Sequence, residues 1–212
     1  MDANTVSDDS GGELAPWLRL QWLPGVGPVA ARALLARFGL PQDIFSASFE
    51  ALREVVPAGV AHAILQRPRP VANSQLELTL QWLRQPGNAV LTLADGAYPL
   101  QLLEIPDPPL LLYVRGRPEL LSRPCVAVIG SRNASVQGMR NAAAFAEALS
   151  QAGLTIVSGL ALGIDTHAHE GGLRGEGATV AVIGTGADLV YPRRNLDLAQ
   201  RIAAQGCIVS EY

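Results

Sequence analysis

The 212-residue chain is 49% apolar and only 17% charged, which provides enough apolar material for a sizeable core and for two folded units. Its net charge of −3 argues against a strongly basic coat for nucleic acid, and every positive side chain is Arg. No apolar run approaches the length that spans a bilayer, and the first residues lack the features of a signal peptide. We therefore expect a cytoplasmic protein with no membrane partner.

The amino-terminal third predicts a tail and then a small all-α domain. Residues 1–12 are polar and acidic, which is typical of a disordered tail, and residues 13–66 contain several short helical stretches. A Pro-Gly-Val-Gly-Pro turn between two of these helices resembles a helix-hairpin-helix, whose backbone N–H groups bind phosphate. Its candidate contacts are Gly25, Val26 and Gly27. The same glycines are also compatible with close helix packing or a protein-interaction role.

A linker with one helix follows at residues 67–88. It begins with the stiff Arg-Pro-Arg-Pro connector, and the spacing of its leucines predicts an amphipathic helix over 73–85. Residues 89–94 (AVLTLA) then predict a strand. The proline-punctuated stretch after it leads to an edge-type strand at 110–114.

Residues 89–212 predict an α/β domain. From residue 124 onward strands alternate with helices, which predicts a doubly wound parallel sheet with right-handed crossovers. Because the sequence stops at Tyr212 without a closing helix, we expect a sheet that is incomplete at its carboxyl terminus, as in a truncated version of a longer protein.

Two details of this domain follow from local patterns. Ser135 is a suitable N-cap for the first long helix, whose sheet-facing stripe is expected to include Ala142, Phe145 and Ala146. Cys125 and Cys207 both lie in apolar strand contexts, which predicts buried free thiols rather than a disulfide.

The first glycine-rich loop follows the strand CVAVIG and comprises Gly130, Ser131, Arg132 and Asn133. It offers backbone donors, a hydroxyl and one guanidinium together, which favours a nucleic-acid phosphate or another anion. The dinucleotide fingerprint G-x-G-x-x-G is absent, so we expect no nicotinamide or flavin cofactor. A structural turn with a surface Arg is the alternative.

The second loop, SGLALG at 158–163, is followed by Asp165 and, four residues later, by His169. Asp165 is a candidate N-cap for the next helix, which places His169 one turn further along. No nucleophile stands beside this pair, and His167 with His169 is too poor in further ligands for a metal site. We therefore expect a structural pair that shapes the loop, with no catalytic residue and no metal.

The third loop contains Gly184 and Gly186 at the end of the strand ATVAVI, and it is followed by Arg193 and Arg194. These two arginines are candidates to face the same edge of the sheet as Arg132. Solvated charges at a helix start are the alternative.

In order along the chain, the segments VAVIGSRNAS, IVSGLALGID, TVAVIGTGAD and IVSE resemble the DNA-processing protein A (DprA/Smf) family. The resemblance covers about residues 89–211, and the region before it is similar to that family's amino-terminal SAM-like or helix-hairpin-helix region. It implies an extended Rossmann-like domain that is not an enzyme. It also implies a homodimer that binds and protects single-stranded DNA and helps load the RecA recombinase onto it during natural transformation.

The resemblance further implies a DNA site formed by the three loops. Many relatives carry Lys or Arg at the position of Leu162, so the arginines of this chain would compensate for that departure. The family's following region, to which the dimer and RecA contacts largely belong, is expected to be missing. The pocket that the resemblance implies comprises Gly130, Ser131, Arg132, Ser158, Gly159 and Gly163, with the loop of Gly184 and Gly186 beside it. We predict that Asn133, Leu160, Arg193 and Arg194 also contact DNA.

Two alternatives differ in class from a DNA-binding protein. One is a nucleotide phosphoribohydrolase of the lysine-decarboxylase-like type on a related fold. The stretch IGTGADL at 183–189 lacks the PGG and the catalytic Glu that such enzymes carry. The other is a fragment without function, which DNA-binding and light-scattering measurements would distinguish.

Overall fold

The computed structural model describes residues 10–66 and 70–212, which divide into two compact units. One unit comprises residues up to 85 together with Leu100–Leu111, and the other comprises Pro86–Pro99 and Leu112–Tyr212. Among the helices of these described residues, none is both long and apolar enough to cross a membrane.

The first unit is helical. A core of apolar side chains that are at most 1% exposed holds its short helices together, and it includes Leu18, Leu34, Ile44, Leu52 and Ile64. The helices are α1 (Ser10–Gln21), α2 (Pro28–Phe38), α3 (Pro41–Ser46), α4 (Phe49–Arg53), α5 (Ala58–Leu65), α6 (Pro70–Leu83) and α7 (Leu100–Leu103). Their assignment to a SAM-like domain stays a prediction.

Two sequence expectations fall partly outside the described residues. The predicted disordered tail overlaps the first residues of α1, which begins at Ser10, while residues 1–9 are not described. Residues 67–69 of the proline connector are likewise not described, and the predicted helix at 73–85 corresponds to α6, which begins at Pro70 and ends at Leu83.

The second unit contains a six-stranded, mostly parallel sheet in the order β1-β2-β6-β5-β4-β3. The strands are β1 (Asn88–Thr92), β2 (Leu111–Gly116), β3 (Cys125–Ala127), β4 (Thr155–Ser158), β5 (Thr179–Ile183) and β6 (Cys207–Ser210). Three further helices connect the parallel strands, α8 (Val136–Gln151), α9 (Ile164–Gly172) and α10 (Leu196–Gln205). The predicted α/β class with an extended Rossmann-like sheet is confirmed.

The helices of this unit pack on one face of the sheet, so the expectation of a doubly wound sheet is wrong for the described strands. Ala146 and Ala168 of α8 and α9 pack on Ile156, and α10 packs on Ala181 and Ile208. The register places these three strand residues on the same face. The physical reason is the strand order: β3 to β6 follow one another without reversal, so each right-handed crossover places its helix on the same side.

Three local expectations are also wrong. The predicted edge strand is β2, but it lies between β1 and β6 in the sheet. Cys125, expected to be buried, is exposed because β3 is an edge strand. The expectation for Ser135, by contrast, is confirmed, because its hydroxyl caps α8 by accepting from the N–H of Gly138 at 3.1 Å. Phe145, expected on the buried stripe, is 67% exposed because the buried positions of α8 are Ala142, Ala146 and Ser150.

Candidate nucleic-acid interface

The carboxyl ends of β3, β4, β5 and β6 lie at one edge of the sheet because these four strands run parallel. Three of the predicted loops begin there. We call them the β3 loop (Gly130–Asn133), the β4 loop (Ser158–Gly163) and the β5 loop (Gly184–Gly186), and we call Arg193–Asn195 the arginine turn.

The β4 loop is held from inside the protein by two side chains of α9. One carboxylate oxygen of Asp165 accepts hydrogen bonds from the backbone N–H groups of Gly159 and Ala161, at 3.1 and 3.4 Å. The Nε2 atom of His169 accepts from the N–H of Leu160 at 3.2 Å. Three consecutive donors are therefore already used, and they are not open to a phosphate as the sequence alone suggested.

Asp165 is not the N-cap of α9, a position that Gly163 occupies. Its side chain turns back to the loop instead, and a Cβ on Gly159 would stand only 3.0 Å from its carboxylate. The carboxylate is buried, so the N–H groups that it accepts from replace the water that a charged group needs. The small size of Gly159 is thus required by an internal contact.

His169 is fully buried, and desolvation lowers its pKa to about 4. The ring is therefore neutral near pH 7, and its acceptor at Nε2 requires that the proton be on Nδ1. Nδ1 lies 2.7 Å from the hydroxyl of Thr179, which in turn donates to the carbonyl of Ile156. Because both ring nitrogens have protein partners, His169 links the β4 loop to the centre of the sheet.

Leu160 is a core residue, although the sequence analysis predicted a DNA contact. Its side chain is 1% exposed and packs in the cluster that contains Ile183 and Ile202. Its backbone has a positive φ of 58°, and both its N–H and its carbonyl have protein partners. No atom of this residue is left to bind a strand of DNA.

Asn195 is the positioning residue that the sequence analysis missed. Its amide nitrogen donates to the carbonyls of Leu160 and Ala161, at 2.8 and 3.2 Å, and it lies 3.1 Å from the Thr166 hydroxyl. These bonds tie the arginine turn to the β4 loop. An Asn directly before a helix suggests an N-cap, but this side chain makes no capping bond.

The β3 and β4 loops are in direct contact. The backbone N–H of Ile164 donates to the carbonyl of Ser131 at 3.2 Å, and Gly163 has a φ of +80°. A Cβ on Gly163 would collide with the backbone of Ser131 and Arg132. At the base of the loops, the Ser158 hydroxyl donates to the carbonyl of Val128 at 2.7 Å. The structure therefore brings Arg132 beside the β4 loop.

The β3 loop remains open toward solvent. Within the described part of the chain, the N–H groups of Gly130, Ser131 and Arg132 donate to no protein acceptor, and only Asn133 donates locally, to the Ser131 hydroxyl at 3.1 Å. A Cβ on Gly130 would collide with the side chain of Ile164, so this glycine allows the loop to approach α9. The open donors make this loop suitable for an anion.

The charges at this edge are not neutralised by carboxylates. Arg132, Arg193 and Arg194 are exposed and form no ion pair with any described residue. Other arginines of the same unit differ: Arg174 pairs with Glu147, and Arg201 pairs with Glu170 through two hydrogen bonds. The unpaired guanidinium groups are available for phosphate.

The β5 loop is attached to a different neighbour. The Ser210 hydroxyl donates to the carbonyl of Thr185 at 2.6 Å, and the Thr185 hydroxyl donates to the carbonyl of Leu189 at 2.8 Å. Gly184 and Gly186 therefore lie in a turn that is fixed to β6. In the described part of the chain, the hydrogen bonds of this loop do not reach the β3 or β4 loop.

In the predicted helix-hairpin-helix turn, the middle residue and both nearby cations are used within the protein. Val26 is buried and its N–H donates to Leu23, while Gly25, with a φ of +84°, would meet the side chain of Val60 if it carried a Cβ. Gly27 caps α2 without a side chain. The two nearby cations have protein partners: Arg32 donates to the carbonyls of Leu103 and Ile105, and Arg37 pairs with Glu54 at 3.6 Å.

The described residues contain no group of three His, Cys, Asp or Glu side chains that could hold a metal ion. The buried Asp165 and His169 are used as acceptors for the β4 loop, so neither faces solvent as a ligand would need to.

The comparisons with known proteins agree on one family. A family model described as DNA recombination-mediator protein A matches residues 89–212. Protein Smf of Synechocystis is 40% identical over 205 residues, which cover 94% of this chain and 51% of that relative. DNA processing protein DprA of Streptococcus pneumoniae is 46% identical over 121 residues, which cover 57% of this chain and 43% of that relative. The chain thus spans about half the length of these curated relatives.

Two solved structures are similar to this chain over part of its length. The X-ray structure of DNA processing protein A from Streptococcus pneumoniae matches with a TM-score of 0.58 and 33% identity, covering 87% of this chain and 67% of that one. DNA processing protein A from Helicobacter pylori, studied for its single-stranded DNA binding mode, matches with a TM-score of 0.51 and 35% identity. That match covers 59% of this chain and 55% of the other.

Proposed function

This chain belongs to the DNA recombination-mediator protein A family, and on that premise we propose that it binds single-stranded DNA without reading its sequence. The binding site is the carboxyl edge of the sheet, with the β3 loop at its centre. One observation supports this most directly: Arg132 is exposed and unpaired on a loop whose backbone donors have no protein acceptor.

The relatives support a DNA-processing role. The curated proteins from Streptococcus pneumoniae and Bacillus subtilis are named DNA processing protein DprA, and the similar Helicobacter pylori protein binds single-stranded DNA. Because this chain spans only about half of the curated relatives, the transfer of that role to it is part of the proposal.

The physical arrangement fits backbone recognition rather than base recognition. Arg132 with the open N–H groups of the β3 loop offers one phosphate a guanidinium and several backbone donors. Arg193 and Arg194 supply further positive charge next to the β4 loop, to which Asn195 fixes them. A few such contacts give sequence-independent binding that weakens with salt.

We also propose that the protein is not an enzyme. The candidate acid and base, Asp165 and His169, both accept hydrogen bonds from the β4 loop, and the second nitrogen of His169 contacts Thr179. Both ring nitrogens of His169 are occupied by the protein, and Asp165 is buried with one carboxylate oxygen bound to two N–H groups, so neither is placed to exchange a proton with a substrate. Incubation with a nucleoside monophosphate such as AMP should therefore release no free base.

The test is binding of fluorescently labelled oligo-dT, measured by anisotropy over a range of salt concentrations. Arg132→Ala should lower the affinity about tenfold and reduce the magnitude of the slope of log K against log[salt] by about 0.7, the loss of one phosphate contact. Arg132→Ala should melt close to the wild-type temperature, as should the control variant described next.

Arg174→Ala is the matched control, because it removes the same charge from the opposite edge of the sheet, where Arg174 is paired with Glu147. It should leave the affinity for oligo-dT unchanged. Equal affinities of Arg132→Ala and wild type would contradict the proposed site, and a wild-type chain that does not bind oligo-dT would contradict the proposed function.

The recombination-mediator description of the family leads us to propose a role beyond binding. The bound strand is protected from nucleases and passed to the RecA recombinase, and the protein associates as a homodimer. Nuclease protection, RecA filament formation on oligo-dT and light scattering test these three parts separately. Only the family description and the resemblance support them.

A further inference from the structure

Tyr191 is an exposed aromatic side chain directly beside the proposed DNA site. It is 71% exposed and lies two residues before the arginine turn, with Pro192 between. Its neighbour Val190 packs against the core cluster that contains Ile183 and Leu198, so the inward position of this segment is filled by a different side chain. In the described part of the chain, Tyr191 makes no hydrogen bond or ring contact with the protein.

The backbone on both sides of Tyr191 is fixed. Before it, Leu189 accepts from the Thr185 hydroxyl through its carbonyl, and its N–H donates to Gly186. After it, the N–H of Asn195 donates to the carbonyl of Pro192 at 2.9 Å, and the Asn195 side chain binds the β4 loop. The backbone that carries the ring is therefore held at a defined place on the surface, with few backbone states to lose when a ligand binds.

Folding does not account for this exposure. Of the other three tyrosines, Tyr98 and Tyr113 are only 1% and 8% exposed, as expected for a large aromatic side chain, whereas Tyr212, the last residue of the sequence, is 68% exposed. An exposed ring just before two unpaired guanidinium groups, on a segment that starts from the same sheet edge as the β3 loop, matches the surface that single-stranded nucleic acid needs. On such a surface bases stack on aromatic faces while arginines contact the backbone.

We propose that Tyr191 stacks on a base of the single-stranded DNA whose phosphates are bound at the β3 loop and the arginine turn. This inference rests on the proposed function and adds a contact of a different chemical kind. Arg132 contributes to affinity by contacting a phosphate, whatever base is attached. Tyr191 contributes to affinity by contacting a base and not the phosphate. Every base has a π-face, so the binding remains independent of sequence.

The experiment compares oligo-dT with an abasic oligodeoxynucleotide of the same length. Tyr191→Ala should lower the affinity for oligo-dT about tenfold and leave the affinity for the abasic strand unchanged. Tyr191→Phe should retain the wild-type affinity for both strands, because stacking needs the ring and not the hydroxyl. Arg132→Ala should weaken binding to both strands by a similar factor.

Phe145→Ala is the matched control. Phe145 is also an exposed aromatic side chain, at 67%, but it lies in the third turn of α8, away from the loops. Its removal should change neither affinity, and equal melting temperatures of all variants should show that each is folded.

The stacking role is overturned if Tyr191→Ala binds oligo-dT like wild type, if it loses affinity equally on the abasic strand, or if Phe145→Ala has the same effect. If Tyr191→Ala changes the oligomeric state seen by light scattering but leaves the affinity for DNA unchanged, Tyr191 is a protein contact. That result would also overturn the stacking role. These outcomes leave the proposed function intact as long as Arg132→Ala weakens binding. If the wild-type chain binds neither strand, both proposals fail together.

Discussion

The β3 and β4 loops look alike in the sequence, but the structure uses them in opposite ways. Both are turns with glycine and serine at the carboxyl ends of neighbouring strands. In the β4 loop, Asp165 and His169 accept from three backbone N–H groups and Asn195 donates to two carbonyls. The β3 loop has open donors and an exposed Arg132.

The difference shows that a small-residue loop is not by itself a ligand site. The β4 loop is a frame, in which protein side chains already occupy the positions that a phosphate would take. The β3 loop rests against this frame through Gly163 and Ile164, and it presents its own donors outward. Changes in the frame should therefore cost stability, and changes on the open loop should cost affinity.

The largest expected effect is that of Gly163→Ala, which disrupts the contact between the β3 loop and the β4 loop. A side chain there has an unfavourable φ and collides with the backbone of Ser131 and Arg132, so we expect a loss of about 3 kcal/mol in the free energy of unfolding. Gly184→Ala is the control, because a Cβ at that position meets nothing within 4 Å. Urea denaturation measures both, and a stable Gly163→Ala would contradict the close contact.

His169 makes the stability of the frame depend on pH. Its pKa is about 4 in the folded protein and about 6.5 when unfolded, so above pH 6.5 neither state binds the proton. As the pH falls from 6.5 to 4, only the unfolded state is protonated, and stability should fall by up to about 3 kcal/mol. Denaturation at a series of pH values measures this loss.

His169→Gln, which does not titrate, provides the reference for that measurement. Subtracting its pH profile removes the contribution of the carboxylates that titrate in the same range. Parallel profiles for wild type and His169→Gln would show that the buried ring is not the source of the pH dependence.

Asn195→Ala should have the next largest effect. It leaves the buried carbonyl of Leu160 without its donor and removes one of the two donors to the carbonyl of Ala161, so we expect a loss of about 2 kcal/mol. Asn141→Ala removes an exposed amide that pairs with Gln137 on α8 and should change stability by less than about 0.5 kcal/mol. A loss of equal size in both variants would contradict the positioning role.

Arg37→Ala should have the smallest effect and extends the comparison to the helical unit. Arg37 lies near the predicted helix-hairpin-helix turn, but it pairs with Glu54 at the surface, where an ion pair contributes little. We expect unchanged affinity for oligo-dT by anisotropy and unchanged stability. A loss of affinity comparable to that of Arg132→Ala would instead place DNA on the helical unit.

Local sequence patterns were sufficient for several features whose deciding interaction is short in range. The apolar runs that end in glycine predicted β3, β4 and β5. The position of Ser135 predicted its capping bond with the N–H of Gly138, three residues further along. The glycines and Arg132 were found as candidates because a turn and a charge can be recognised from neighbouring residues.

The sequence by itself determined the α/β class, the position of the loops at strand ends and the kinds of groups that they offer. Only the tertiary structure decided which of those groups are free, because that depends on partners far along the chain, as with Asn195 and Leu160, which are 35 residues apart. The same holds for the position of α8, α9 and α10 on one face of the sheet, since strand order is set by pairing between distant segments and not by the periodicity of any one of them.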